Sequence, residues 1–205
     1  MSTLKIIQIN ASDMANYSYL IYCPETLHGA AVDPSLWPEK LLEHARKEGV
    51  TLKLLLNTHG HNDHIAGNRL IQKQATVKLA AHPLDLAEVD IPLRDGTTLT
   101  LGNGTIDVIH TPGHTPGSVV FKTKTAIITG DTLFISRCGR ADFPGSSPEG
   151  LYDSLQKLKE LPAETQVFPG HNYGPMPIST LGWELENNDF LKCPDLTSFI
   201  KLRMG

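Results

Sequence analysis

Four times along this 205-residue chain, a short apolar run ends in a tight Gly- or Pro-marked loop that carries a metal-binding type of side chain. The run 52–56, apolar apart from Lys53, leads into N-T-H-G-H-N-D-H and places His59, His61, Asp63 and His64 within six positions. The run 106–110 leads into T-P-G-H-T-P-G and His114. The run 126–129 leads into G-D-T-L and Asp131, and 165–168 into P-G-H-N-Y-G and His171. Apolar runs of this length bounded by Gly and Pro read as buried strands. Loops at strand ends are where a rigid scaffold presents reactive groups. If the four ends lie at one edge of the fold, five histidines and two aspartates converge there.

The rest of the chain supplies the scaffold. Strands are predicted at 5–10, 16–22, 29–32, 77–81, 97–101, 105–110 and 118–122, in addition to those above. Helices are predicted from Pro38 to Gly49, with Leu41, Leu42 and Ala45 on one face, and over 65–74, with Ile65, Leu70 and Ile71. A third helix, 150–161, carries Leu151, Leu155 and Leu158 on one stripe and stops at Pro162; a fourth lies at 195–204. Strands in both halves with helices between them predict an α/β (α+β) fold of two sheets covered by helices. At this length the whole of 1–205 reads as one domain, with a short polar tail from about residue 175.

The residue types at the strand ends define the chemistry. Imidazole nitrogen and carboxylate oxygen are the usual ligands of a borderline divalent metal such as zinc. Seven such groups exceed the needs of one zinc and suit two metals about 3.5–4 Å apart that share a carboxylate and a hydroxide. No cysteine enters the set, so open positions for water are expected, the mark of a catalytic rather than a structural site. A lone histidine after a strand is more often a hydrogen-bonded loop residue, and Asp after Gly is ordinary turn chemistry. No capping or packing rule, however, asks for four ligand types in six residues. H-x-H-x-D-H therefore carries the reading and the other three loops inherit support from it. Of the remaining histidines, His28 and His44 read as exposed, His82 opens an Ala-His-Pro turn, and His110 packs at a strand end.

Composition narrows the class further. With 40% hydrophobic residues the chain can bury a sizeable core, which excludes disorder. Eighteen Lys+Arg against 22 Asp+Glu, a net charge of −4, argues against a nucleic-acid partner. No window approaches the ~18 apolar residues of a membrane span, and the first ten residues lack the apolar stretch of a signal peptide. Cys23, Cys138 and Cys193 are odd in number, widely spaced and form no C-x-x-C pair, which fits a reduced, cytoplasmic protein. No signal of an oligomeric state is present.

Together, T-H-G-H-N-D-H, T-P-G-H-T-P-G, G-D-T-L-F and P-G-H-N-Y resemble the metallo-β-lactamase superfamily, specifically its glyoxalase II-like (hydroxyacylglutathione hydrolase-like) branch. The resemblance runs from about residue 5 to the low 190s. It implies a four-layer αββα sandwich with the site along one edge of the two sheets. It also implies two divalent ions, zinc first with iron or manganese as alternatives. His59, His61 and His114 would hold one ion, Asp63, His64 and His171 the other, and Asp131 would bridge them. The implied reaction is hydrolysis of a small-molecule acyl thioester, such as an S-acylglutathione, by a metal-activated hydroxide. A metal lowers the pKa of its water from 15.7 to roughly 7, and a thiolate of pKa about 8.5 leaves with little help from an acid. Asp63 and Asp131 would orient the water or take its proton.

A second implication competes. His59, His114 and Asp131 contain the 2-His-1-carboxylate set of non-haem iron enzymes, and C-G-R-A-D-F at 138–143 resembles the corresponding loop of the superfamily's persulfide dioxygenases. Arg140 is the candidate substrate contact, its planar fork suited to a carboxylate; pairing with Asp142 is its bland alternative. Tyr173, next to the strand-end His171, is the candidate pocket aromatic. The segment 179–191 and the P-G-H at 169–171 are similar to short bacterial hydrolases, whereas the dioxygenases more often carry P-A-H. Cleavage of β-lactams is disfavoured because Asp131 stands where those enzymes usually have cysteine. A superfamily nuclease is disfavoured by the lack of a basic run.

Overall fold

The predicted strands assemble, in a computed structural model that describes residues 2–205, into two six-stranded sheets. The first contains β1 (Lys5–Asn10), β2 (Tyr17–Tyr22), β3 (His28–Val32), β4 (Thr51–Leu56), β5 (Lys78–Ala81) and β6 (Ile91–Pro92), neighbours in that order. Its first three strands are antiparallel and the rest parallel. The second contains β7 (Thr98–Leu101), β8 (Gly104–His110), β9 (Val119–Lys122), β10 (Ala126–Gly130), β13 (Gln166–Pro169) and β14 (Ser179–Thr180). These lie in the order β14, β13, β10, β9, β8, β7. A small hairpin, β11 (Leu133–Phe134) with β12 (Arg137–Cys138), follows β10.

The period-two alternation of each strand sorts its side chains between layers. Tyr19 and Ile21 of β2 point inward with Leu54 and Leu56, meeting Ile106, Val108, Phe121 and Ile128 of the second sheet in one buried core. Leu20 and Tyr22 point outward with Leu55, and a register shift at Lys53 puts Leu52 on that same side. They pack under Leu41 and Ala45 of α1 (Pro38–Lys47) and Ile71 of α3 (Asn68–Gln74). On the far side Val120, Ile127 and Val167 meet three helices. These are α4 (Pro148–Lys159) with Leu151, Leu155 and Leu158, α5 (Leu181–Asn187) with Leu181, and α6 (Leu196–Met204) with Phe199. The result is the four-layer αββα sandwich. Each leucine buried on α4 contributes about 1.5–3 kcal/mol, and Ser147 caps that helix by accepting from the Gly150 N–H at 3.0 Å.

Two differences from the sequence reading have local causes. The helix predicted at 65–74 is two helices, α2 (Asn62–Ile65) and α3. The Asp63 carbonyl accepts from the Ser35 hydroxyl at 2.6 Å, and the His64 carbonyl from the Ser35 N–H at 3.1 Å. Both carbonyls are thus lost to a continuing helical turn. The segment read as a tail adds β14 and α5 before the predicted terminal helix: β14 pairs with β13, and Thr180 caps α5. His28 and His44, expected to be exposed, are both half-buried. His110 does pack, stacked on His82 with ring centres 4.3 Å apart.

Strand direction explains why the site lies at one edge. β8 and β10 are each antiparallel to β9, and β10 is parallel to β13, so the carboxyl ends of β8, β10 and β13 point the same way. The loops after all three, and the loop after β4 in the other sheet, open into one cavity of about 530 Å³.

Candidate metal centre

All seven strand-end residues are brought together there. The Nδ1 of His61 lies 2.9 Å from the Nε2 of His114, and the Nε2 atoms of His64 and His171 are 3.2 Å apart. The Asp131 carboxylate sits between the two groups. Its Oδ1 is 3.3 Å from His64 Nε2, and its Oδ2 is 3.5 Å from both His114 Nε2 and His171 Nε2. Asp63 Oδ2 lies 3.4 Å from His171 Nε2 and 3.7 Å from His64 Nε2. Among the described residues three triads place one ligand-type atom each within 4.8 Å of one another: His59, His61 and His114; Asp63, His64 and His171; and, behind them, Asp33, His59 and His64.

The outward-facing nitrogens decide what the inward ones can do. His64 Nδ1 donates to Asp33 Oδ2 at 3.1 Å, His114 Nδ1 to the Arg140 carbonyl at 2.8 Å, and His171 Nδ1 to the Met14 carbonyl at 3.2 Å. Thr58 Oγ1 donates to Asp33 Oδ2 at 2.5 Å and so accepts from His59 Nδ1 at 3.1 Å. In its neutral form each of these four rings therefore carries its proton on the outer nitrogen and turns the Nε2 lone pair toward the centre, as metal-ligating histidines do, while His61 turns Nδ1 inward. Two buried atoms of this site, His59 Nε2 and Asp131 Oδ1, have no hydrogen-bond partner. Orphaned lone pairs in a dry site are expensive unless something electropositive meets them, so this donor set fits a pair of cations.

Charge and burial pull the acidities apart. Burial opposes ionisation of Asp131, but His64, His171 and His59 hold its carboxyl well below the usual carboxylate range. Asp63 is lowered too: burial resists, while His171, His64 and Asn16 favour the anion. Burial pushes the His59 ring well down, with neighbouring His64 adding to it. Burial also works against charge on His64 and His171, but Asp131 outweighs it in both. With Asp33 it holds His64 well above the ordinary histidine value, and with Asp63 it brings His171 to about 9, so a cation entering there would displace the Nε2 proton that Asp131 favours on each ring.

The walls of the cavity differ in character. On one side the Phe143 ring meets His61 and His114 edge-on, at 5.4 and 5.9 Å between centres. The Arg140 guanidinium lies 4.3 Å above that ring. It is already paired, Nε donating to Asp142 Oδ1 at 2.8 Å and Nη2 to Oδ2 at 2.6 Å, and stays 57% exposed. On the other side the Tyr173 ring stacks on His171 at 4.6 Å and 8°, with Phe134 against its edge. Met14 and Leu36 complete an exposed apolar rim.

The sequence reading left out the residues that orient these groups. Asp33 is buried and also accepts from the Thr58 N–H at 2.8 Å. Asn16 Nδ2 donates to Asp63 Oδ2 at 2.9 Å. A signal for Asp33 was present, because it too follows directly on a strand, in the turn Asp33-Pro34 after β3.

Comparison with known proteins agrees with the geometry. Residues 15–171 match the Metallo-beta-lactamase superfamily. The chain is 42% identical over 179 residues to the hydroxyacylglutathione hydrolase of Rhodospirillum rubrum, an alignment spanning 84% of this chain and 68% of that protein. It is 31% identical over 196 residues to the "Probable polyketide biosynthesis zinc-dependent hydrolase BaeB" of Bacillus velezensis, covering 92% and 87%. Among solved structures it superposes on ETHE1 from Myxococcus xanthus with a TM-score of 0.93 at 28% identity, covering 98% of this chain and 90% of that one.

Proposed function

Since the chain belongs to the metallo-beta-lactamase superfamily, we propose that it is a thioester hydrolase of the glyoxalase II type, acting on an acyl thioester such as an S-acylglutathione. The observation that carries this reading is the inward convergence of the Nε2 lone pairs around Asp131, with His59 Nε2 and Asp131 Oδ1 left without partners. His59, His61 and His114 would hold one divalent cation, Asp63, His64 and His171 the other, and Asp131 would bridge them. Zinc is the first choice, in keeping with the name of the Bacillus velezensis relative. When bound, the cations supply a hydroxide at neutral pH and polarise the thioester carbonyl.

The chain's own groups do the rest. The protonated outer nitrogens fix the imidazoles, so no reorganisation is needed as charge develops. Asp63 is held by Asn16 through Oδ2 and is partly open to the cavity, where it can orient a water and take its proton. One water and one thioester give a carboxylic acid and a thiol, and the thiolate, with a pKa of about 8.5, leaves without a dedicated acid. Phe143, Tyr173 and Phe134 exclude solvent from the reacting carbonyl, and the Arg140 guanidinium, with Nε and Nη2 held by Asp142, keeps Nη1 for a carboxylate on the thiol portion.

The likeness to ETHE1 favours a second reading, an iron persulfide dioxygenase. Position 170 speaks for the hydrolase. A Cβ there would lie 2.3 Å from Asp131 Oδ1, so the carboxylate occupies the space an alanine would need. One experiment separates the two: metal analysis of protein purified without added metal, with S-lactoylglutathione hydrolysis and oxygen uptake on glutathione persulfide measured side by side. Two zinc per chain with thioester turnover is expected; one iron with oxygen uptake overturns the proposal.

A further inference from the structure

The two loops that carry His59, His61 and His114 come from different sheets, yet one carboxylate joins them. Asp85, half-buried in the turn after β5, accepts at Oδ2 from the Gly60 N–H (2.9 Å) and from the Thr115 hydroxyl (2.6 Å). Its Oδ1 accepts from the Gly117 N–H at 2.7 Å. Gly60 stands between His59 and His61, and Thr115 follows His114 directly. The turn that presents Asp85 is fixed by its own N–H on the His82 carbonyl at 3.0 Å. The sequence is shaped to admit this carboxylate: a Cβ on Gly117 would lie 2.6 Å from Asp85 Cγ, and one on Gly60 3.0 Å from the Asp85 carbonyl oxygen. The glycines inside T-H-G-H and T-P-G thus have a common cause.

We propose that Asp85 is a positioning residue that clamps the His59–His61 loop to the His114 loop and so sets the affinity of that cation site selectively. The inference rests on the two-cation reading above. The other triad is held by different groups, Asn16 on Asp63, Asp33 on His64 and the Met14 carbonyl on His171. Losing Asp85 should therefore leave it intact. Asp85 touches the backbone and hydroxyl beside the ligands rather than the ligands themselves, and the loss of hydrogen bonds to a charged group corresponds to about 10–100-fold in affinity where it falls on that site alone. In Asp85→Asn the amide keeps the shape but turns one acceptor into a donor, facing the Gly117 N–H or the Gly60 N–H and Thr115 hydroxyl.

The test is a Co²⁺ titration of metal-stripped protein, followed by visible absorption and by chelator competition. It compares wild type with Asp85→Asn, Thr115→Val and Asp90→Asn. Asp90 serves as control because its exposed bond to the Leu79 N–H is remote from the cavity. Wild type and Asp90→Asn should take up two equivalents. Asp85→Asn should bind one with unchanged affinity and the other about 10–100-fold more weakly. Thr115→Val, which removes a single hydroxyl donor, should weaken that same equivalent about 2–10-fold and keeps the test open if Asp85→Asn does not fold. Unchanged affinities, or an equal loss at both sites, overturn the clamp. A wild-type protein that binds a single ion overturns the two-cation reading itself, and the clamp's selectivity with it.

Discussion

Asp33 is the hub through which both triads are oriented, so its removal should separate stability from metal binding in a measurable way. It is buried and accepts from the Thr58 N–H, the Thr58 hydroxyl and the His64 Nδ1. A weaker contact from Asn57 Nδ2, at 3.4 Å, has a second acceptor in Asn68. Asp33→Ala strands at least the Thr58 N–H and the His64 Nδ1 proton. At about 1–3 kcal/mol for each unsatisfied buried donor, the loss is about 2–6 kcal/mol. Asp33 also sits at φ +44°, in the left-handed region that aspartate and asparagine tolerate and alanine does not; this adds about 1–2 kcal/mol for alanine alone. Against a total stability of about 5–15 kcal/mol, such a variant is close to unfolding.

Asp33→Asn should behave differently. It keeps the backbone conformation and one oxygen for the Thr58 N–H. The amide nitrogen, placed where Oδ2 was, can only donate, so His64 must accept at Nδ1 and carry its proton on Nε2, aimed at the centre. Urea unfolding of the metal-stripped protein should show a loss of about 1 kcal/mol, with zinc affinity at the His64 site down about 10–100-fold. An Asp33→Ala protein within 1 kcal/mol of wild type, or an Asp33→Asn protein that binds two zinc ions at wild-type affinity, would refute the reasoning.

Three further outcomes are expected. Asp131→Ala should retain fewer than two metal ions and lose about 10²–10³ in thioesterase kcat, since a preorganised charge at the reacting centre is removed; intact metal content and rate would sink the bridging role. Gly170→Ala forces a Cβ to within 2.3 Å of Asp131 Oδ1 and 2.8 Å of the Gly130 carbonyl carbon. It should cost about 1–3 kcal/mol in thermal unfolding and lower kcat with it, and wild-type behaviour would show that the close approach is not needed. Arg140→Ala breaks an exposed pair with Asp142, so stability should move by less than about 1 kcal/mol. Its KM for an S-acylglutathione should rise with kcat unchanged, whereas the KM for a thioester with an uncharged thiol should stay put. Equal KM values for both would remove Arg140 from the substrate site.

The ligand-type residues were legible because their chemistry is rare in combination. Four such groups in six residues have no packing explanation, and each of the four loops follows a strand, Leu54–Leu56 in β4 and Ile127–Ile128 in β10 being fully or nearly inside while Ile109 and His110 of β8 are half-buried. The two sheets followed from strands in both halves with helices between, and the helix α4 from a leucine stripe and the stop at Pro162; its start at Pro148, capped by Ser147, lies two residues before the predicted one. What escaped was set by contacts distant in sequence. Helix 65–74 was split by Ser35, some 28 residues upstream of the Asp63 carbonyl it captures. α5 was missed because only Leu181 and Glu184 of its seven residues are buried, too few for a periodic signal.

The orienting groups form a harder case, and the reason is physical. Asp33 reaches Thr58 across 25 residues and Asp85 reaches Thr115 across 30, using the commonest acceptor there is. Asp33 at least follows directly on a strand, but nothing in one sequence marks Asp85 apart from any other turn aspartate. Two of the orienters have no side-chain identity at all: the carbonyls of Met14 and Arg140 hold His171 and His114. Any residue able to adopt that backbone conformation can supply the same oxygen. Position 140 therefore has two separable roles, a carbonyl that fixes the His114 ring and a guanidinium that faces the cavity rim. Arg140→Ala tests only the second, so a variant that kept full metal content while losing selectivity for charged thiols would be the expected result of that separation. Loss of metal in the same variant would mean that the Arg140–Asp142–Phe143 contacts hold the loop conformation itself, and the carbonyl along with it.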